Sequence, residues 1–186
     1  MFFWFFPSQI NPRPDTPILL WLQGGPGSTS LFALFNEIGP IYIDTNGNIQ
    51  LREISWNKNY HLIFIDNPVG TGFSFTDDPE GFVRSQEDVA RDLYSALVQF
   101  FQIFTEYKSN PFYVTGESYA GKYVPSLTYK IHMENQNPQV KVAINLKGMT
   151  IGNGLCDPVN QYMYGDFLYQ VGEVKNFFVS LTNSST

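Results

Sequence analysis

With 186 residues, 43% hydrophobic and 17% aromatic, the chain has the length and apolar content of one packed domain, which excludes a disordered segment. Eleven Lys plus Arg against 17 Asp plus Glu give a net charge of −6 and no basic stripe, which argues against nucleic acid as a partner. That acidic balance is compatible with an enzyme of acidic compartments. Cys156 is the single cysteine, so no internal disulfide can form. The opening Met1-Phe-Phe-Trp-Phe-Phe6 has no basic n-region and runs straight into Pro7. It is too short for a signal peptide or a membrane span and reads as a buried strand. A domain that begins inside a strand suggests sequence missing before it.

Pro17-Ile-Leu-Leu-Trp-Leu22 follows, an apolar run of the kind buried on both faces of a sheet. It ends in Gln23-Gly-Gly-Pro-Gly-Ser28, which reads either as a tight turn before a helix or as a loop offering backbone N–H groups to a developing oxyanion. Leu31 to Ile38 is apolar except for Glu37, which on its own is best placed toward solvent. Asp44-Thr-Asn-Gly47 is hairpin-turn chemistry. His61-Leu-Ile-Phe-Ile-Asp66 is a further buried strand, followed by Asn67-Pro-Val-Gly-Thr-Gly-Phe-Ser74, whose glycines lack the Lys and spacing of a phosphate loop.

Ser85 to Lys108 is the clearest helix, with Ser85 as cap, Asp88 three residues on, and Val89, Leu93, Ala96, Phe100 and Phe104 on one face. Asn110-Pro111 stops it. Phe112-Tyr-Val114 then leads into Gly116-Glu-Ser-Tyr-Ala-Gly121 and a helix to about Met133, with Val124, Leu127 and Ile131 inward and Pro125 as a kink. Strand, sharp turn and helix with a serine at the apex make a nucleophile elbow, and they place Ser118 at the top of a sheet. Val140 to Gly152 supplies another strand. The polar tail holds a glycosylation-type triplet, Asn183-Ser-Ser185. Strands alternating with helices give an α/β fold around a parallel sheet.

Trp21-Leu-Gln-Gly-Gly-Pro-Gly-Ser28, Ile65-Asp-Asn-Pro-Val-Gly-Thr-Gly-Phe-Ser74, Gly116-Glu-Ser-Tyr-Ala-Gly121 and Ile151-Gly-Asn-Gly154 stand in the order of the serine carboxypeptidases. The chain resembles that family, and in particular its animal vitellogenic-like branch, over residues 1 to about 172. The resemblance implies an α/β-hydrolase-type, mostly parallel sheet with flanking helices, truncated before the last strands, and a divergent polar tail over 173–186. It makes Ser118 the acyl-forming nucleophile and the N–H groups of Gly25 and Tyr119 the oxyanion hole. Gln23, Gly24, Glu37 and Glu117 become the clamp for the substrate's terminal carboxylate, with Gln23 standing where most members carry Asn. Carboxylate binds carboxylate only through a shared proton, so Glu37 and Glu117 are expected to hold raised pKa values and to favour peptide in acid.

The family's order of nucleophile, Asp, His requires a histidine after Ser118. His132 follows by fourteen residues on the same helix, roughly 20 Å along its axis. His61 opens a strand whose opposite end faces the site. Both read as surface or strand-end residues, and neither Asp157 nor Asp166 matches the family's triad Asp. The family's triad Asp and His belong to a later portion, and Cys156 is expected to have lost its partner with it.

The resemblance therefore implies a serine carboxypeptidase acting on peptide or protein C-termini, with no metal or organic cofactor, in a truncated form. It implies a lysosomal or secreted setting, although no signal peptide is expected in this chain. The alternative is an inactive isoform that binds peptide C-termini or another chain. An esterase of the same fold is disfavoured by the acid clamp. Loss of the later strands is expected to leave one edge and one face of the sheet uncovered and the chain marginally stable.

Overall fold

The computed structural model describes residues 1–173. The tail from Val174, with the Asn183 triplet, lies outside the described residues. Two compact units are present, Met1–Gly154 and a second from Leu155 onward.

The first unit is built on a five-stranded sheet. In chain order its elements are β1 (Phe3–Phe6), β2 (Ile18–Leu22), α1 (Leu31–Asn36), β3 (Ile41–Ile43), β4 (Ile49–Leu51), β5 (His61–Ile65), α2 (Gln86–Ile103), β6 (Phe112–Glu117), α3 (Ala120–Asn135) and β7 (Leu146–Gly152). The strand order is β1-β5-β2-β6-β7. β5, β2, β6 and β7 run parallel, and β1 closes the β5 edge antiparallel. This is the mostly parallel α/β sheet that the alternating pattern predicts. The opening strand differs from expectation: β1 is an edge strand, only partly buried, because it has a neighbour on one side alone.

β2 and β5 are almost wholly apolar because both of their faces are covered. On one face Ile18, Leu20, Leu22, Ile63, Ile65, Phe112 and Val114 pack under α2 and α3 in the main core. On the other, Trp21, Leu62 and Phe64 pack under Leu31, Ala33 and Leu34 of α1. That second cover stops short. Beyond it Leu19, Tyr113, Thr115 and Thr150 line an open groove of about 480 Å³ with Pro17, Trp56 and Tyr60.

α2 starts where its cap predicts, with the Ser85 hydroxyl accepting from the Asp88 N–H. Its inward face is Val89, Leu93, Leu97, Phe100 and Phe101, turned from the expected one so that Leu97 and Phe101 replace Ala96 and Phe104 as fully buried positions. α3 runs through Pro125 and buries Val124, Leu127 and Ile131 as expected. β3 and β4 form the predicted hairpin, with Asp44 accepting from the N–H groups of Asn46 and Asn48 and Gly47 at φ +82°.

The second unit holds α4 (Pro158–Gln161) and α5 (Gly165–Gln170). Gln161 Oε1 accepts from the backbone N–H groups of Cys156 and Asp157, and Cys156 is exposed.

Candidate active site

β6 is lifted out of its strand conformation at one residue. Ser118 has φ +58°, a left-handed conformation that costs a non-glycine residue of order 1 kcal/mol or more. Two features hold it there: its N–H donates to Gly152 O at the end of β7 (2.9 Å), and its carbonyl accepts from Gly121 N in the first turn of α3 (2.9 Å). The turn is possible because its neighbours have almost no side chain. A Cβ on Gly116 would lie 2.4 Å from Leu22 O and 2.7 Å from the Ala120 Cβ, so strand, neighbouring strand and helix meet across that glycine. Ser118 itself is exposed. The geometry is that of a nucleophile elbow.

The loop after β2 lies directly against the elbow. A Cβ on Gly24 would stand 2.6 Å from the Tyr119 nitrogen and 2.8 Å from the Ser118 Cβ. Gly25 follows at φ +112°. Among the described residues neither the Gly25 N–H nor the Tyr119 N–H donates a hydrogen bond. Two backbone donors therefore lie free around the elbow serine, an arrangement suited to a negatively charged oxygen.

Three polar side chains converge beside them. Gln23, 6% exposed, accepts from Trp21 Nε1 at 2.9 Å and donates through Nε2 to Glu117 Oε1 at 2.7 Å. One N–H of its amide is left for a ligand. Glu37, at the C-terminus of α1, is half-buried and hydrogen-bonded to Glu117. Burial, and then the neighbouring Glu117 carboxyl, push the Glu37 pKa above its ordinary value. A hydrogen bond between two carboxyls requires a proton on one of them. The solvent-facing reading of Glu37 is thereby corrected: the end of α1 turns it toward the elbow.

Sequence reasoning missed what supports this loop. Asp66, 1% exposed at the end of β5, accepts from the Thr29 hydroxyl (2.5 Å) and Ser30 N–H (3.0 Å) through one oxygen and from the Phe73 N–H (2.9 Å) through the other. The Ser30 hydroxyl donates to Ile65 O (2.6 Å) and accepts from the Gln23 N–H (3.1 Å). The Gly-Thr-Gly run set aside as a failed phosphate loop is thus wrapped on Asp66, close enough that a Cβ on Gly72 would collide with its carboxylate. On the helix side Tyr123, 1% exposed, bonds the Gly27 backbone, and burial pushes its phenol up to about 12. A buried Asp directly after an apolar strand was the one available signal for this support.

The histidines lie apart from the elbow. His61 stands at the amino end of β5, paired with Ile18, whereas Ser118 follows the carboxyl end of β6. It is 2% exposed, so it is an interior residue at a strand end, and its Nδ1 accepts from the Ser8 N–H at 2.9 Å. Burial lowers its pKa. His132 sits in the last turn of α3 and bonds Gln136. Among the described residues no group of His, Cys, Asp or Glu could hold a metal ion, and no helix is long and apolar enough to cross a membrane.

Similar proteins were found at three levels. The sequence profile of the serine carboxypeptidases matches residues 1–182. The venom serine carboxypeptidase of Apis mellifera is 56% identical over 172 residues, covering 92% of this chain and 36% of that protein. The probable serine carboxypeptidase CPVL of Homo sapiens is 57% identical over 173 residues, with the same two coverages. Among solved structures, a prohormone-processing carboxypeptidase from Saccharomyces cerevisiae superposes with a TM-score of 0.85 at 34% identity, over 97% of this chain and 40% of that one. The chain spans about a third of the length of the curated relatives it matches.

Proposed function

The chain belongs to the serine carboxypeptidase family, and on that premise we propose that it carries the nucleophile, oxyanion hole and carboxylate clamp of a serine-type carboxypeptidase. In this reading Ser118 Oγ attacks the last peptide bond of a substrate. The N–H groups of Gly25 and Tyr119 hold the oxyanion, the amine of the terminal residue leaves, and water releases the acyl group from Ser118. Gln23, Gly24, Glu37 and Glu117 receive the terminal carboxylate. We assign residues 1–172 to the N-terminal part of the hydrolase domain and 173–186 to a divergent tail, and we infer a lysosomal or secreted setting in which an acid-favouring clamp is of use.

One observation carries the reading: two neighbouring carboxyls, one of them bonded to a buried amide, lie beside an elbow serine with two unspent N–H groups. A pocket for an apolar ester has no need of a proton shared between two acids. A protonated Glu37 donates to the incoming carboxylate; an ionised one repels it. Binding is therefore strongest below the raised Glu37 pKa and fades as pH climbs through it.

Both histidines of the chain are occupied elsewhere, His61 by Ser8 and His132 by Gln136, so we infer that the triad Asp and His are supplied from outside residues 1–173. Without them the serine retains only about 10³–10⁴-fold catalysis over water. A clamp with no histidine beside the serine among the described residues also favours a second reading, a binder of peptide C-termini without turnover.

Hydrolysis of an N-blocked dipeptide by this chain and its Ser118→Ala variant, across about pH 4 to 7, separates the two. Turnover that rises toward acid and vanishes in Ser118→Ala supports the peptidase. Binding of the dipeptide without turnover supports the binder. Neither binding nor turnover from folded protein rules out both.

A further inference from the structure

Arg52 lies on the hairpin side of the molecule, outside every motif of the site. It follows β4, and its three donating groups all face one turn. The backbone N–H of Arg52 donates to Pro40 O at 2.7 Å, Nε to Gly39 O at 3.0 Å, and Nη2 to Phe35 O at 2.6 Å. Those carbonyls bracket Glu37. Among the described residues Arg52 forms no ion pair, and its guanidinium lies 5.6 Å from the centre of the Tyr42 ring. The hydrogen bonds of this half-buried cation thus go to main-chain oxygens.

The turn it binds is short of its own hydrogen bonds. α1 is six residues long, and after it the N–H groups of Glu37, Ile38 and Gly39 all converge on the single carbonyl of Ala33, at 3.0, 3.0 and 3.4 Å. The carbonyls at a helix C-terminus are orphans that need outside donors and favour a positive charge. Arg52 supplies both at once, and its rigid fork fixes the spacing between Phe35 O and Gly39 O. The turn cannot relax inward, since a Cβ on Gly39 would already lie 2.2 Å from Leu34 O.

We propose that Arg52 is the positioning residue of the carboxylate clamp: by bracing the Phe35–Pro40 turn it holds Glu37 against Glu117 at the distance a terminal carboxylate needs. The inference rests on the reading of Glu37 and Glu117 as that clamp. Arg52 acts through the backbone and does not touch the ligand.

The test uses the full chain, its Arg52→Gln, Arg52→Lys and Glu37→Gln variants, and two probes, an N-blocked dipeptide and its C-terminal amide, titrated calorimetrically at about pH 5 with a melt of each protein. Wild type is expected to prefer the free acid over the amide. Arg52→Gln is expected to lose about tenfold in affinity for the acid and none for the amide, the signature of a mispositioned clamp. Arg52→Lys, which reaches only one of the two carbonyls, is expected to fall between them. A merely structural role would weaken both probes alike or neither. Arg52→Gln and Arg52→Lys that bind the acid like wild type, while Glu37→Gln loses it, overturn the role of Arg52 and leave the clamp standing. If Arg52→Gln fails to fold, Arg52→Lys decides alone, and an undiminished preference for the acid overturns the proposal. Absence of any preference in wild type overturns the clamp and Arg52 with it.

Discussion

The two ends of the parallel sheet use polar groups in different ways. At the amino end Asn57, Asn110 and His61 close backbone gaps. Asn57, 2% exposed, donates to the carbonyls of Phe6, Pro7 and Tyr60; Asn110, 3% exposed, donates to Thr16 O; and His61 accepts from the Ser8 N–H. At the carboxyl end Asp66 and Ser30 do the same, but beside them polar groups are held out. Ser118 is twisted to φ +58°, the N–H groups of Gly25 and Tyr119 have no partner among the described residues, and the Glu37 pKa is raised by burial and by the neighbouring Glu117 carboxyl. A buried polar residue is therefore no sign of function by itself; the sign is a donor or a proton left uncommitted where the backbone is strained.

The sharpest way to break this contrast is at Gly116. Gly116→Ala forces a methyl against Leu22 O and Ala120, atoms that cannot swing aside, and is expected to cost about 3 kcal/mol or more and to abolish binding of the N-blocked dipeptide together with the cooperative melt. Both losses are read by calorimetric titration and thermal unfolding. Asn57→Ala should cost about 1–2 kcal/mol by removing the donor shared by three part-buried carbonyls, yet leave dipeptide affinity per folded molecule unchanged. A loss of affinity there would show that the two ends are not separable.

Smaller effects come from pH, and they run in opposite directions. The folded-state pKa of His61 lies below its unfolded 6.5, so its contribution is complete above that value and is lost as pH falls through it. The folded-state pKa of Glu37 lies above its unfolded 4.5, so its contribution is complete below that value and is lost as pH rises through the folded one. His61→Gln is expected to reduce the loss of melting temperature toward acid, and Glu37→Gln to reduce the loss toward neutrality. Melts from about pH 4 to 8 check both. If His61→Gln leaves the acid side unchanged, the imidazole is not the group that limits the fold there.

The frame of the molecule was legible because its signals are local. Ile18–Leu22, His61–Ile65 and Phe112–Val114 are apolar runs bounded by glycine, proline or asparagine, and Ser85 with Asp88 marks a helix start whatever surrounds it. The elbow and its facing loop were legible for the same reason: glycine is required where backbones touch. Glu37 read by itself as solvent-facing, and only family resemblance moved it into the site, since its direction depends on where α1 ends against β3. Asp66 gave only its place after an apolar strand, because its partners lie elsewhere in the chain, and Arg52 was silent, since no spacing announces a side chain that binds a carbonyl. The inward face of α2 was misread at Ala96 and Phe104, since the α3 and β1 neighbours that select Leu97 and Phe101 are not encoded in the helix itself.

The bond from Gln23 to Glu117 joins residues 94 positions apart. Closing so large a loop is slow relative to winding a helix or a hairpin, because chain entropy is lost before the contact repays it. A molecule that has formed α2, α3 and the β3–β4 hairpin but has not yet paired β2 with β6 therefore has secondary structure and no site. Binding of the N-blocked dipeptide should then lag behind recovery of far-ultraviolet circular dichroism during refolding, making the ligand a clock for the moment the sheet closes.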